Sequence, residues 1–533
     1  MTNKIETSCA EKSAQASTQL VCIPGQNAMP VWRASVRMAL VSAAGVVAAG
    51  LIATGMTGCA NIPSIAPQAS LRDAASLGLG TAAAQAPVGA EWWRDFGDET
   101  LNSLVAQALE TSPNLKLAQA RLARAQAVTE VANAATLPQV NGQLDLTRQR
   151  YTANGAVPSP LAGSVRDNGT AQLTASWELD FFGKNRAALD AALGNARAAE
   201  ADAQAARALL ASQVARTYFQ LVRLNEQAAV ARRTLAQRFE ALKLVTDRVN
   251  AGLDTRLELR QSEGGLPEAR LQLETIQEQM ALARNALQAL VGQQNSAYPL
   301  VPSSQSAIKN VALMPVIPAD LLGRRADIAA ARWRIEASLK DVENAKTQFY
   351  PNINLVAFAG FSSIGLGNLL QSGSQQWGVG PAVRLPIFEA GRLRANLRGK
   401  TADLDAAIES YNAAVVDAVR DVADQVASQQ AISRQQLDQR AAQDAAESAY
   451  DIAVQRYKAG LGNYLNVLTA ETSVLVQRRL AVDLAGRALD TQVALMRALG
   501  GGYAPAPLPA AQVTTKKIAA NVSPAGGNSL FYQ

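Results

Sequence analysis

The sequence predicts a mainly α-helical chain with a small share of membrane β-structure, built as two internal repeats. Three observations predict it. Landmarks recur in one order at a nearly constant offset, an apolar stripe at helical spacing marks a helix of about 67 residues, and four short stretches alternate apolar with polar residues.

The repeat comes first, because a missed period misreads the whole fold. Leu137-Pro138-Gln139-Val140-Asn141 returns as Tyr350-Pro351-Asn352-Ile353-Asn354, an offset of 213, and Leu122 maps to Ile335. Arg248, Ala251, Gly252 and Leu253 return as Arg456, Ala459, Gly460 and Leu461, an offset of 208; Leu257 maps to Leu465 and Gly292 to Gly500. The change of offset places a net loss of five residues in or near the strands.

Each copy reads in the same order. A helix of moderate length comes first, near 101–136 and 319–348, and a Pro ends it because Pro cannot continue the helical hydrogen-bond ladder. Two strands follow, then a very long helix, 184–250 and 391–458, then a Gly turn and a return helix. In the first long helix Leu210, Val214, Thr217, Leu221, Leu224, Ala228, Ala231, Leu235, Phe239, Leu242 and Val249 fall mostly three or four apart. Such a helix is roughly 100 Å long at 1.5 Å per residue, a rod that no compact domain requires. A coiled-coil scaffold would satisfy the helices alone.

The strands argue against a scaffold. Across 171–181, Ala171, Leu173, Ala175, Trp177, Leu179 and Phe181 share one face, and Gln172, Thr174, Ser176, Glu178 and Asp180 the other. Residues 140–146, 352–361 and 377–387 supply three more strands, and the loops near 152–168 and 362–375 are rich in Gly, Ser, Asn and Pro. About 10 residues suffice for a tilted membrane strand. Four strands cannot close a membrane barrel, which needs about eight or more, so several chains must share one.

Both ends read as unstructured or processed. Arg33 and Arg37 precede an apolar run from Met38 to Met56, and Met56-Thr57-Gly58-Cys59 follows, so 1–58 is expected to be a signal peptide. The Cys after Thr-Gly resembles a bacterial lipobox, which implies cleavage before Cys59 and its diacylation; Ala60, not Asp, implies release toward the outer membrane. An uncleaved inner-membrane anchor is the alternative. Cys9 and Cys22 lie within the leader, so the processed chain keeps only Cys59 and no disulfide. Residues 59–90 are expected to be a lipidated tether, and 504–533 a flexible tail.

Composition narrows function. Of 533 residues none is His and three are Cys, which removes the usual general base and metal ligands; no enzyme activity, metal or cofactor is expected. The net charge of +6 is spread without a long basic block, so no nucleic-acid partner is expected. Beyond the leader no apolar run is long enough for a transmembrane helix, so any crossing falls to strands.

The residues now carry a resemblance. Trp92-Trp93-Arg94-Asp95-Phe96-Gly97-Asp98, Trp177 to Lys184, Leu385 to Arg394, Arg456 to Leu468 and Ala498 to Tyr503 occur in the order found in the TolC-like outer-membrane factors. The chain resembles the OprM-like lipoprotein channels of resistance-nodulation-division efflux systems over about residues 91–503. The resemblance implies a TolC-like fold: a homotrimer sharing a twelve-stranded β-barrel in the outer membrane above a long periplasmic α-helical barrel. Its units would be a first repeat at 91–292, an equatorial connector at 293–318 and a second repeat at 319–503. It implies passive export of small toxic molecules or drugs, delivered by a periplasmic adaptor and a resistance-nodulation-division inner-membrane pump. A conduit for type I protein secretion is the competing function; the lipobox and the closing motif favour efflux.

Site residues follow from the resemblance. Ala251-Gly252-Leu253 and Ala459-Gly460-Leu461 would meet the adaptor tips, although left-handed Gly caps alone would also place Gly252 and Gly460 there. The gate candidates are Glu258, Leu465, Asn466 and Thr469. Related channels carry Asp after the second turn; here Asn466 and Thr469 are neutral, and the first turn offers Glu258, near Asp254 and Arg256. A ring of Glu258 would attract cations, whereas a solvated surface Glu would do nothing. Leu465 would be an apolar constriction. Gly264-Gly265-Leu266-Pro267 would bend the first return helix, as part of opening or as tolerated drift. Ala326, where relatives carry Pro, weakens a helix start.

Overall fold

The computed structural model describes residues 64–72, 88–292, 302–309, 311 and 321–503. The leader, Cys59 and the C-terminal tail lie outside them.

Two rods of equal length organise the chain. α3 (Lys184–Asn250) and α6 (Arg392–Lys458) each have 67 residues, about 100 Å at helical rise. Shorter helices stack beside them: α1 (Glu99–Thr111) and α2 (Pro113–Ala134) before the first sheet half, α4 (Arg256–Val291) after the first turn, α5 (Ala326–Thr347) before the second sheet half, and α7 (Tyr464–Ala498) at the end. α3 runs against α2 and α5 toward the strands and against α4 and α7 toward the turns, while α6 runs against α5 and α7. Small residues permit the contact: a Cβ on Gly194 of α3 would lie 3.0 Å from that of Ala337 in α5.

The first moderate helix, expected as one piece, is two. Pro113 opens α2 at its first turn, where a missing N–H costs nothing, and Ser112 is the break. α5 begins at Ala326 without Pro. Instead Asp327 Oδ1 accepts from the Ile328 N–H at 2.9 Å, and its carboxylate pairs with Arg325 at 2.7 Å. That supplies an anion at a helix start, the favourable end of its dipole.

The strands β1 (Gln139–Arg150), β2 (Val165–Glu178), β3 (Asn352–Ile364) and β4 (Gln375–Arg384) form one antiparallel sheet in chain order. Pairs across the register share a face: Val140, Ala175, Ala357 and Val379 form one row, and Leu173, Ala359 and Trp377 another. The opposite face carries Gln143, Gln172 and Gln376, and Gln376 Nε2 donates to Gln172 Oε1 at 3.1 Å. One face is greasy and bare, with Val140 66% and Trp377 78% exposed; the other is mainly polar, with Val356, Phe358 and Ile364 of β3 as its apolar members. β1 and β4 each pair on one side only among the described residues.

Strand limits depart from expectation at both ends. β1 and β3 run past their expected ends, because Thr147 to Arg150 of β1 and Ser362 to Ile364 of β3 keep the ladder to β2. β2 ends at Glu178: the Leu179 N–H still donates to Ile353 O at 2.9 Å, but Phe181 has turned out of the strand, and Phe182 stacks on Tyr350 at 4.7 Å. β4 ends at Arg384, short of Pro386, which has no N–H to donate.

The main core sits at mid-length of α3. Trp92, Phe96, Leu101, Tyr218, Phe219, Leu221, Leu287 and Met496 are buried together, each contributing about 1.5–3 kcal/mol relative to exposure. Asp98 caps α1 through the Thr100 and Leu101 amides and accepts the Tyr218 hydroxyl hydrogen at 2.6 Å. Burial, then Asp98, pushes the Tyr218 phenol up to about 12. The described part of the connector ties down here: the Ser303 N–H donates to Tyr218 Oη, Gln305 N–H to Glu226, and Val311 N–H to Gln492. The segment 64–72 lies along α6, with the Gln68 and Ala69 amides on Asp405 Oδ1 and Arg72 N–H on Asn412 Oδ1.

Candidate gate and docking turns

The two turns are built alike. α3 and α6 each end in Ala, then a Gly with φ of 73° at Gly252 and 74° at Gly460. The Leu253 N–H reaches back to Arg248 O at 2.9 Å, and Leu461 N–H to Arg456 O at 2.8 Å. This is the Schellman closure, which needs a left-handed residue and satisfies the last carbonyls. The apolar residue after such a Gly commonly packs back on the helix. Here Leu253 is 65% and Leu461 68% exposed, so both turns present a bare apolar tip beside exposed Ala251 and Ala459.

The helices that leave the turns are capped at matched positions. Thr255 caps α4 and Asn463, 208 residues on, caps α7. In the first turn the cap is a full capping box: Glu258 accepts from the Thr255 N–H at 3.0 Å and from its hydroxyl. Those bonds hold the Glu258 carboxyl below the usual range. Its charge is therefore kept, but the carboxylate is committed to its own helix start. Asn466, the matching residue, is exposed, and its backbone N–H donates to Asn463 Oδ1 at 3.1 Å. Leu465 and Thr469 are exposed as well.

A polar lock joins the turns, and sequence reading missed it. Arg248 holds Asp254 through two N–H donors at 2.8 and 3.3 Å. Tyr457, from the last turn of α6, donates its hydroxyl hydrogen to the same carboxylate, and the Arg248 guanidinium lies 4.6 Å above the Tyr457 ring. Tyr457 is 2% exposed and packs with Tyr464, Val245 and Val467. The hydrogen bond from Arg248, reinforced by Tyr457, holds Asp254 below the usual carboxylate range despite burial. Burial and Asp254 push the Tyr457 phenol up. The available signal was one of difference: Asp254 matches Gly462, and Val249 matches Tyr457, at the 208 offset.

Further along the rods, charges cross between helices. Arg238 of α3 donates to Gly265 O and to Glu268 on α4, each at 2.8 Å, and lies 3.5 Å from Glu471 on α7. α4 continues as helix through Gly264, Gly265 and Pro267. Arg478 grips Glu447 at 2.6 and 2.5 Å. Burial pushes Glu471 up, against the pull of Arg238. Among the described residues no group of His, Cys, Asp and Glu is arranged to hold a metal, and no helix is long and apolar enough to cross a membrane.

A strand set with one greasy and one polar face, set on rods with capped turns at their far end, defines an outer-membrane channel protein of TolC-like fold. The pattern for the outer membrane efflux protein family matches residues 104–293 and 317–501, and the chain belongs to that family. It is 34% identical over 426 residues to the multidrug resistance outer membrane protein MdtQ of Escherichia coli O157:H7, covering 78% of this chain and 88% of the relative. It is 37% identical over 351 residues to the fusaric acid resistance protein FusA of Burkholderia cepacia, covering 64% and 66%. The crystal structure of the outer membrane protein VceC of Vibrio cholerae superposes with a TM-score of 0.74 at 36% identity, covering 78% of this chain and all 100% of VceC. The protein is an outer-membrane efflux channel.

Proposed function

We propose that three copies of this chain close one twelve-stranded barrel and act as the exit duct of a tripartite drug-efflux assembly. The observation that carries this reading is the pair of open sheet edges, β1 and β4, on a four-stranded sheet whose greasy face is bare. Unpaired edges do not persist in a bilayer, because each unmet N–H and C=O costs several kcal/mol there, so β4 of one copy pairs with β1 of the next.

The working parts follow. Cys59 carries the lipid anchor. Turns 251–253 and 459–461 meet a periplasmic adaptor through the bare Leu253 and Leu461, and a resistance-nodulation-division pump supplies the energy. The Arg248–Asp254–Tyr457 lock holds the turn-end mouth narrow, while Glu258, Leu465, Asn466 and Thr469 line its approach. No step of chemistry is required of the channel.

Single-channel recording of the purified protein in a planar bilayer tests this. The wild type is expected to conduct weakly and Tyr457→Phe with Asp254→Asn strongly. A wild type and a double variant that are both silent would overturn the duct.

A further inference from the structure

The outer end of the sheet carries residues that neither the duct nor its mouth uses. Along β1 the membrane-facing positions Leu144 and Leu146 are followed, on the same face, by Arg148 and Arg150. The register fixes this face: Leu146 lies opposite Gly169, Arg148 opposite Asp167 and Arg150 opposite Val165, all in line with Leu173 and Trp177. Two guanidinium groups therefore end an apolar strip on the bilayer side, not on the polar side. Arg148 is 76% exposed and approaches Asp167 only to 3.8 Å. Arg150 is exposed, and no ion pair or hydrogen bond to its side chain occurs among the described residues.

The β3–β4 loop adds to the same face. Residues 365–374 include no charged side chain, and the loop folds back over β2. Gly365 N–H donates to Asp167 O at 2.6 Å, and the Ser363 and Ser374 hydroxyls donate to loop carbonyls. Gly169 is the seat: a Cβ there would come within 3.0 Å of Leu369 and 3.1 Å of Leu366. Leu369 is thus buried, while Leu366 stays 45% and Leu370 79% exposed. An ordered loop that lays leucines outward beside two exposed arginines, one of them 3.8 Å from the Asp167 carboxylate, is a poor surface for water. It continues the greasy face of the strands and ends it in two arginines against one aspartate.

We propose that this outer corner binds a phosphorylated, multiply acylated lipid of the outer leaflet. Acyl chains lie against Leu146, Leu366 and Leu370. The phosphates meet Arg148 and Arg150, whose planar forks match phosphate oxygens and whose stems lie along apolar surface. The leucines select a lipid over free phosphate, since a bare anion gains nothing from them. The site is distinct from the cargo path, which runs on the opposite face.

The test uses the full chain, purified in detergent, with bisphosphorylated lipid A as probe and native mass spectrometry as readout. The wild type is expected to retain the lipid. Arg148→Gln with Arg150→Gln is expected to weaken retention about tenfold or more, as loss of charge-assisted bonds does, and Leu370→Asn to weaken it separately. Unchanged retention in both variants would overturn the proposal, as would displacement by inorganic phosphate alone. A second measurement does not depend on those variants. A polarity-sensitive dye on Leu370→Cys is expected to be quenched by nitroxide-labelled lipid; quenching by aqueous iodide instead would place the loop in water and overturn the site.

Discussion

Tyr457 belongs to the second repeat, yet its hydroxyl hydrogen is donated to Asp254 in the first. The two copies are thereby complementary at their far ends. Arg248 of the first copy grips Asp254, while its counterpart Arg456, beside Gly462, reaches the Leu461 carbonyl at 3.3 Å and no carboxylate among the described residues. One copy keeps the acid and the other supplies the phenol.

Removing either partner should loosen the mouth. Tyr457→Phe deletes one hydrogen bond and keeps the buried ring, so the fold is expected to survive. Conductance in a planar bilayer is expected to rise, and to rise further with Asp254→Asn. Unaltered conductance in both would remove the lock from the gate.

Acid should act late on this lock. Asp254 is depressed below its ordinary value of 3.8, so its contribution is fully present above that value and is lost as pH falls through the lower, folded one. Conductance is expected to stay unchanged down to about pH 5 and to rise only below about pH 4. A rise near neutrality would point to a different group.

Glu471 should show the opposite sign. Burial raises it above 4.5, so the folded protein binds its proton more readily, and stability falls as pH rises from 4.5 through the raised value. Glu471→Gln is expected to flatten that stretch of a melting-temperature profile, without loss of stability at alkaline pH. A parallel shift of the whole profile would show that the pairing with Arg238 matters more than the burial.

Asn466→Asp adds an acid where the exposed amide now stands, three residues after the Asn463 cap. The helix start is expected to gain about 0.3–1 kcal/mol. The cation-to-anion permeability ratio, read as a reversal potential across a KCl gradient, is expected to increase. Identical reversal potentials would remove this position from the conduction path.

Ala390 has φ of 48°, the one positive value among described non-glycine residues, beside Gly391 at 84°. A side chain is strained there, so Ala390→Gly is expected to raise stability by about 1 kcal/mol, less the unfolded-state entropy that Gly adds. Thermal melts of the two forms decide it.

The rods and strands were legible because their signals are periodic and repeated. Leu210 to Val249 mark a stripe, and the Gly252–Gly460 match fixes where both rods turn. The breaks were less legible. Ser112-Pro113 divides a helix whose apolar spacing runs on, and Phe181 keeps the alternation after the ladder has ended. The Arg248–Asp254–Tyr457 lock was hidden for a different reason. Its partners are 203 residues apart and sit at positions where the copies differ, so no period points to them.

Equal rods have a consequence for stoichiometry. Both 67-residue helices begin at the sheet and end in the same closure, so their tips lie at a common depth. Three chains would then show a partner six tips in two alternating kinds, one stiffened by Asp254 and one not. A partner supplied in threes could read the difference between the kinds; one supplied in sixes would have to tolerate it.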